Sequence, residues 1–361
     1  GPEPKAKPQG DVASTNQAAL RQPADASLVG ALHEFAYERG ALYPSARITG
    51  LGGIAPVLRD DDINLSVYNP SNLNPAHHRS LAFNHNFHFA GISNGSAAYG
   101  HHIEKWGITT QLSVGYMSYG DFKWTTERDE SLGSFTASEQ YIGLGLGRRL
   151  NERITAGLQI KSVFSHLETY QSFGMAADLA LQYENPEQKM AVTFLVRNLG
   201  GEISTYNASA LSAPLDIQIA LTKRLSHLPL RFSIIAHQLQ QWDVRYDDPS
   251  AVEETDLFGE VKKESAFAAA ADNFFRHFMF NMELSLGKTE GFKIRAAYNH
   301  QRRQELNLST FRSMAGFSLG FGLKIKQIGI DYGLGYYHLA GATNHLSLVT
   351  NLDRFKRKSG S

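Results

Sequence analysis

The sequence predicts an all-β protein folded as a transmembrane antiparallel β-barrel, and three observations predict it. The first is alternation. In residues 106–119, Ile108, Thr110, Leu112, Val114 and Tyr116 share one parity, and Gly107, Thr109, Gln111, Ser113 and Gly115 share the other. Residues 154–164 repeat this, with Ile154, Ala156, Leu158, Ile160 and Phe164 set against Thr155, Gly157, Gln159 and Lys161. A strand sends successive side chains to opposite faces, so each segment has one apolar face and one polar face. The second observation is length: the alternating segments run about ten residues, enough for a tilted strand to cross a bilayer. The third is that short and long connections alternate along the chain, as they do between the two rims of a membrane barrel. A soluble sandwich alternates too, but its strands run nearer five or six residues.

Composition agrees. The chain has 361 residues, no cysteine and a formal net charge of zero, which excludes disulfides and thiolate metal sites and gives no electrostatic case for nucleic acid. No unbroken apolar run is long enough for a helical span. No charged-then-apolar leader opens the chain, so export implies that a signal peptide has been removed. The 21 Phe and 15 Tyr suit a lipid-facing surface, and the 32 Gly suit close-packed strand interiors.

Taken in order, residues 1–40 read as a leader. Residues 1–27 are too poor in apolar side chains to order themselves, and 28–40 allow a short helix with Leu28, Leu32, Phe35 and Ala36 on one face, stopped by Gly40. Residues 41–78 carry Ser45-Ala46-Arg47, Leu51-Gly52-Gly53, Asp60-Asp61-Asp62 and Asn69-Pro70, a series of turn signals without periodicity. At the head of a barrel sequence, such a segment is expected inside the lumen as a hatch made of tight turns. Strands are expected at 79–90, 95–103, 106–119, 135–148, 153–166, 173–184, 189–198, 213–224, 229–241, 273–287, 291–301, 312–325, 327–338 and 343–355. That is about fourteen, an even number, with both termini periplasmic. Aromatics on the apolar parity include Phe173, Tyr183, Phe232, Phe274, Phe278, Phe292 and Tyr298. Residues 356–361 form a short tail.

Several groups could carry chemistry. The polar parity holds Lys161, Asp178, Arg197, Asp216, Arg231, Glu283, Lys293, Arg295 and Asp331, with both signs present. Either they pair and hold the hatch, or they line a selective channel; buried charges persist when paired, which favours the first. His77, His78, His85, His88, His101 and His102 cluster near the first hairpin, where antiparallel pairing could bring His85 or His88 close to His101 or His102. Alternation sends neighbouring positions to opposite faces, and no metal-ligand spacing is present. Gly143, Gly145 and Gly147 lie inside a strand and open no helix, so they read as small lumen-facing residues, not a nucleotide loop. The Asp run reads as turn capping, since a calcium loop's spacing and terminal Glu are missing. No catalytic set is visible, so neither enzyme activity, metal nor cofactor is expected. The longest connection, 242–272, contains Trp242, Tyr246, Asp247, Asp248, Leu257 and Phe258, and a pore needs no such loop. It is the candidate partner-binding element.

The 41–75 signature resembles the FadL-like barrels of Bacteroidetes. Ser172-Phe173-Gly174-Met175-Ala176-Ala177-Asp178-Leu179 and Pro229-Leu230-Arg231-Phe232-Ser233-Ile234-Ile235-Ala236-His237, continuing through Gln241-Trp242-Asp243-Val244-Arg245-Tyr246-Asp247-Asp248-Pro249, resemble the PorQ family of the type IX secretion system. The resemblance spans roughly residues 41–355. It implies a fourteen-stranded FadL-like barrel in the outer membrane of a Gram-negative bacterium, with outer loops at the cell surface. It also implies an attachment complex: the surface protein PorZ bound directly, with the sortase-like PorU, the shuttle barrel PorV and lipopolysaccharide in the same assembly. The alternative, by analogy with FadL, is a transporter of hydrophobic small molecules.

Overall fold

In the computed structural model the described residues are 45–54, 60–87, 91–125, 131–167, 170–204, 212–245, 265–287, 289–306, 314–338 and 341–355. The leader, the expected helix at 28–40 and the tail lie outside them.

Fourteen strands form among these residues: β1 (Ser80–Phe87), β2 (Ser93–Ile103), β3 (Ile108–Thr125), β4 (Ser131–Arg149), β5 (Ile154–Leu167), β6 (Tyr170–Asn185), β7 (Met190–Ser204), β8 (Asp216–Arg224), β9 (Leu230–Ala236), β10 (Phe278–Leu286), β11 (Phe292–Asn299), β12 (Phe317–Ile325), β13 (Ile328–His338) and β14 (Gly341–Asn351). Each pairs antiparallel with its sequence neighbours, and β1 pairs with β14, Ser80 opposite Asn351, so the sheet closes. Closure leaves no open edge, which is what lets strands stand in hydrocarbon.

The two parities separate as the alternation requires. Gln111, Ser113, Gln159, Lys161, Asp178 and Arg295 are buried inside, while Leu112, Val114, Leu144, Leu179, Phe194, Ile219 and Phe321 are exposed outside. An exterior of large apolar side chains around a polar interior is the inverse of a soluble protein, so the barrel is a membrane-spanning one. No helix among the described residues is long and apolar enough to cross a membrane.

Three expectations are corrected. First, the described residues 45–54 and 60–77 are not all irregular turns. They contain α1 (Ala46–Gly50), α2 (Asn64–Tyr68) and single 3-10 turns at Pro70–Asn72 and Pro75–His77. The turn-forming residues act as caps: Ser45 accepts from the Ile48 N–H, Asn69 from Ser71 and Asn74 from Ala76, with Pro70 and Pro75 at the first positions. Second, residues 273–276, expected at the start of a strand, end helix α3 (Ala266–Arg276), so Phe274 is helical. Ser265 caps a run of alanines there, and strong helix propensity decides the local structure. A further helix, α4 (His300–Glu305), follows β11 where strand was expected to continue. Third, strand lengths are uneven: β3 and β4 run 18 and 19 residues, but β9 and β11 only 7 and 8. β9 stops short of the expected residue 241, and just beyond its end Gln238 adopts φ 55°, outside the extended region.

Candidate functional site

The described residues of this segment, 45–54 and 60–77, pack against the inward faces of the strands, and the contacts run round most of the barrel. Two patches of wall are bare backbone. A Cβ on Gly50 would sit 2.8 Å from the Gly320 Cα, so α1 lies directly on β12. Side chains on Gly147 and Gly157 would run into Pro70 to Leu73, so the 3-10 turn lies directly on β4 and β5. Below them an apolar layer joins Ile48, Leu51, Leu65 and Tyr68 to Leu195, Ile235 and Met279 of the wall. Gly52 and Gly53 hold φ of 97° and 91°, a left-handed turn that ordinary side chains resist.

The polar contacts centre on Arg47. Its guanidinium donates to Glu283 at 3.0 Å through both Nε and Nη2, to Asp60 at 2.6 Å and to Asp62 at 3.2 Å. Glu283 also accepts from Arg295 at 2.8 Å and Arg231 at 3.3 Å, and Arg295 donates onward to Asp331 at 2.5 Å. The planar fork of arginine suits this, because one rigid group can serve three carboxylates. Asp61 turns the other way, accepting from Lys324 at 2.7 Å and Arg354 at 3.1 Å. The three consecutive acids are therefore ion-pair partners as well as caps; Asp62 accepts from the Asn64 N–H at 3.0 Å and Asp60 from the Asp62 N–H at 3.1 Å.

Their titration differs. Burial pushes the Asp62 carboxyl up, and although Arg47 opposes this, Asp331 and Asp60 reinforce it, so it reaches about 6. Burial also raises Asp60, but Arg47, with Lys293 and Arg231, overcomes this and holds it well below the usual carboxylate range. Like charges sharing one cation split in this way.

Elsewhere the segment is pinned to other strands. The Ala46 N–H donates to Ser347 at 2.7 Å, Asn281 to the Leu51 carbonyl at 3.2 Å, and Tyr337 to the Thr49 carbonyl at 2.9 Å. Thr49 also bonds His345. Gln218 donates to the Tyr68 hydroxyl at 2.9 Å, and Arg197 lies 3.6 Å over the Tyr68 ring. Outside the segment, Lys161 pairs with Asp178 at 2.7 Å and bonds Asn198 at 2.6 Å. Of the two readings of the lumen charges, the paired one describes these residues. Arg231 and Lys293 are only partly buried, and Lys293, Asp61, Asp62 and Arg354 border a cleft of about 190 Å³ at the short-turn rim.

The histidines do not converge. His85 pairs with Gly95 and packs its ring 4.4 Å from Phe87 on the outer face, while His101 lies 4.9 Å from His78 at the short-turn rim. The register keeps the two sets apart, and His88 lies outside the described residues. Among the described residues no group of three or more His, Asp or Glu could hold a metal. Of the candidate loop residues, Tyr246, Asp247, Asp248, Leu257 and Phe258 lie outside the described residues. Trp242 is 74% exposed, with its carbonyl accepting from Asn273 at 2.8 Å.

Sequence reasoning missed the role of the acids. Glu283 stands 236 residues from Arg47, and nothing local to either announces the other.

The fold is similar to that of the Pseudomonas putida toluene transporter TodX, with a TM-score of 0.51 and 10% identity over 85% of this chain and 96% of that one. A deltaS2 mutant of the TodX monoaromatic hydrocarbon channel gives 0.50 and 12%, over 86% and 97%. A Pseudomonas aeruginosa FadL homologue aligns over 86% of this chain and 99% of that one, at a TM-score of 0.48 and 8% identity. At such identities the likeness concerns the fold alone, a FadL-like barrel of the outer-membrane type. No family model and no curated protein matches the chain.

Proposed function

We propose that this barrel is a closed, non-catalytic platform in the outer membrane. Residues 41–78 act as a hatch, the long connections face the cell exterior, and the termini face the periplasm. The connection between β9 and β10 holds a surface protein, which by the sequence resemblance is PorZ, in an attachment complex with PorU and PorV. The observation that carries this reading is the single guanidinium of Arg47 tied to three carboxylates, one of them on the barrel wall. Removing one partner from a buried ion pair costs roughly 3–5 kcal/mol, so a solute passing through the lumen would have to break a network that is already satisfied. A sealed barrel that still carries a long connection is better suited to holding than to passing. The test is affinity purification of the chain from detergent-solubilised outer membrane, together with deletion of its gene. PorZ should co-purify and should leave the cell surface on deletion; PorZ remaining on cells that lack the barrel would sink the platform reading.

A second reading, transport of hydrophobic molecules, is favoured by one feature. Towards the long-connection rim the lumen of β3–β5 is mostly apolar, lined by Met117, Tyr119, Ala137, Tyr141, Val163 and Leu167, with Ser165 bonded to Glu139 at 3.0 Å among them. The similar TodX is described as a toluene transporter. Uptake of toluene or a long-chain fatty acid that depended on this chain would put transport first.

A further inference from the structure

We propose that α3 lies in the membrane interface, with its aromatic face against the acyl chains of the leaflet at the long-connection rim, completing the hydrocarbon belt where the barrel wall is too short. The wall is lowest at β9, which has seven residues. At about 3.4 Å per residue and a tilt near 40°, seven residues cover about 18 Å of the bilayer normal, short of the roughly 25 Å apolar band. α3 sits immediately above β10, the partner of β9.

The helix is turned the wrong way for water. Phe267, Phe274 and Phe275 are 84%, 45% and 50% exposed and, at i, i+7 and i+8, share one face. The opposite face carries Asp272, Asn273 and Arg276 and is clasped to the protein. Asn273 accepts from the Val244 N–H at 3.0 Å and donates to the Trp242 carbonyl at 2.8 Å, and Asp272, paired with Arg276 within the helix at 2.7 Å, lies 3.2 Å from His300. A helix resting on a soluble surface buries its apolar stripe and shows its polar one; α3 does the reverse. Its rings are also continuous with the lipid-facing belt: Phe274 lies 4.9 Å from Phe278, and Phe278 lies 6.5 Å from the outward Phe280 of β10. Aromatic girdles occupy this level in membrane barrels. Continuity with the belt is what selects lipid over a protein partner.

The chain has no cysteine, so single labels can be introduced cleanly. Phe275→Cys and Ala271→Cys, the second sparing every ring, would carry a nitroxide in the full chain reconstituted into phosphatidylcholine–phosphatidylglycerol vesicles. Collision with oxygen and with a water-soluble nickel chelate is then compared with Phe280→Cys as the lipid control and Asp243→Cys as the aqueous one. Both helix labels should favour oxygen over nickel several-fold, at a depth shallower than residue 280. Nickel dominance matching residue 243 would overturn the proposal, as would exclusion of both relaxants, the sign of a protein contact. The proposal rests on the membrane-spanning reading, and the two fail separately: a water-exposed label at residue 280 would undo that reading itself.

Discussion

At the scale of single residues, Arg47 decides whether the N-terminal segment stays seated. Arg47→Met would leave Asp60, Asp62 and part of Glu283 buried without their cation, and should destabilise the folded chain by roughly 3–5 kcal/mol in urea titrations in detergent. Arg47→Lys should recover little, because a point charge cannot reproduce the fork. Asp62 predicts a pH dependence of its own. Its folded value of about 6 lies above the ordinary 3.8, so between these the native state binds more protons than the unfolded one. Stability therefore falls as pH rises through that window. In Asp62→Asn the drop in urea midpoint from pH 4 to pH 7 should shrink; an unchanged drop would refute the assignment. Asp60 has the opposite sign. Its depressed value means that its stabilisation is present above 3.8 and is lost only under stronger acid, so Asp60→Asn should weaken the fold at pH 7.

At the scale of elements, each strand offers two different solvents one residue apart. Leu179, Phe194 and Ile219 stand in the outer belt, and Leu158 and Ile294 share their parity while half-buried. Ile219→Arg should cost roughly 2–4 kcal/mol on reversible folding into bilayers, against little for Ile219→Leu. The inward neighbours are no wet channel at this level: Gln159 is fully buried, so an Arg there meets packed atoms. The bare walls make a second contrast. Gly157→Ala drives a methyl into Pro70 and Ser71, whereas Gly329→Ala meets nothing nearer than 3.7 Å. The first should destabilise by roughly 1–3 kcal/mol, the usual overpacking range, and the second by much less. Thermal unfolding in detergent, comparing the two variants, measures this.

For the whole molecule, the ladder and the segment inside it are separable in one sense. Among the described residues before Ser80, only Arg79 makes a backbone-to-backbone hydrogen bond to a strand, donating to the Gly100 carbonyl at 2.8 Å, so the hydrogen-bonded cylinder does not depend on residues 45–77. Excising residues 45–77 should leave a closed barrel that conducts ions in planar bilayers, while the intact chain conducts far less. Equal conductance of the two would show that the segment does not seal the lumen. The uneven rim is also a whole-molecule property: a high wall at β3 and β4 stands across from a low one at β9 and β11, and the helices α3 and α4 rise where the strands stop.

The sequence by itself determined the cylinder. Period-2 alternation is local, so Leu112 beside Gln111 and Leu179 beside Asp178 already assign lipid and lumen, and the spacing of turn residues counts the strands. It also marked residues 41–78 as distinct, because turn residues without periodicity cannot join a ladder. The internal structure of that segment was not legible, since Ser45, Asn69 and Asn74 serve equally as turn residues or as helix caps. Nor was α3, whose phenylalanines fit a strand's outer face as well as a helix's. Only the tertiary structure decided that Arg47 meets Glu283, that Gly157 receives Pro70, and that His85 and His101 stay apart. Those are contacts between residues far apart in the chain, and the strand register and closure that create them are set by all fourteen strands together.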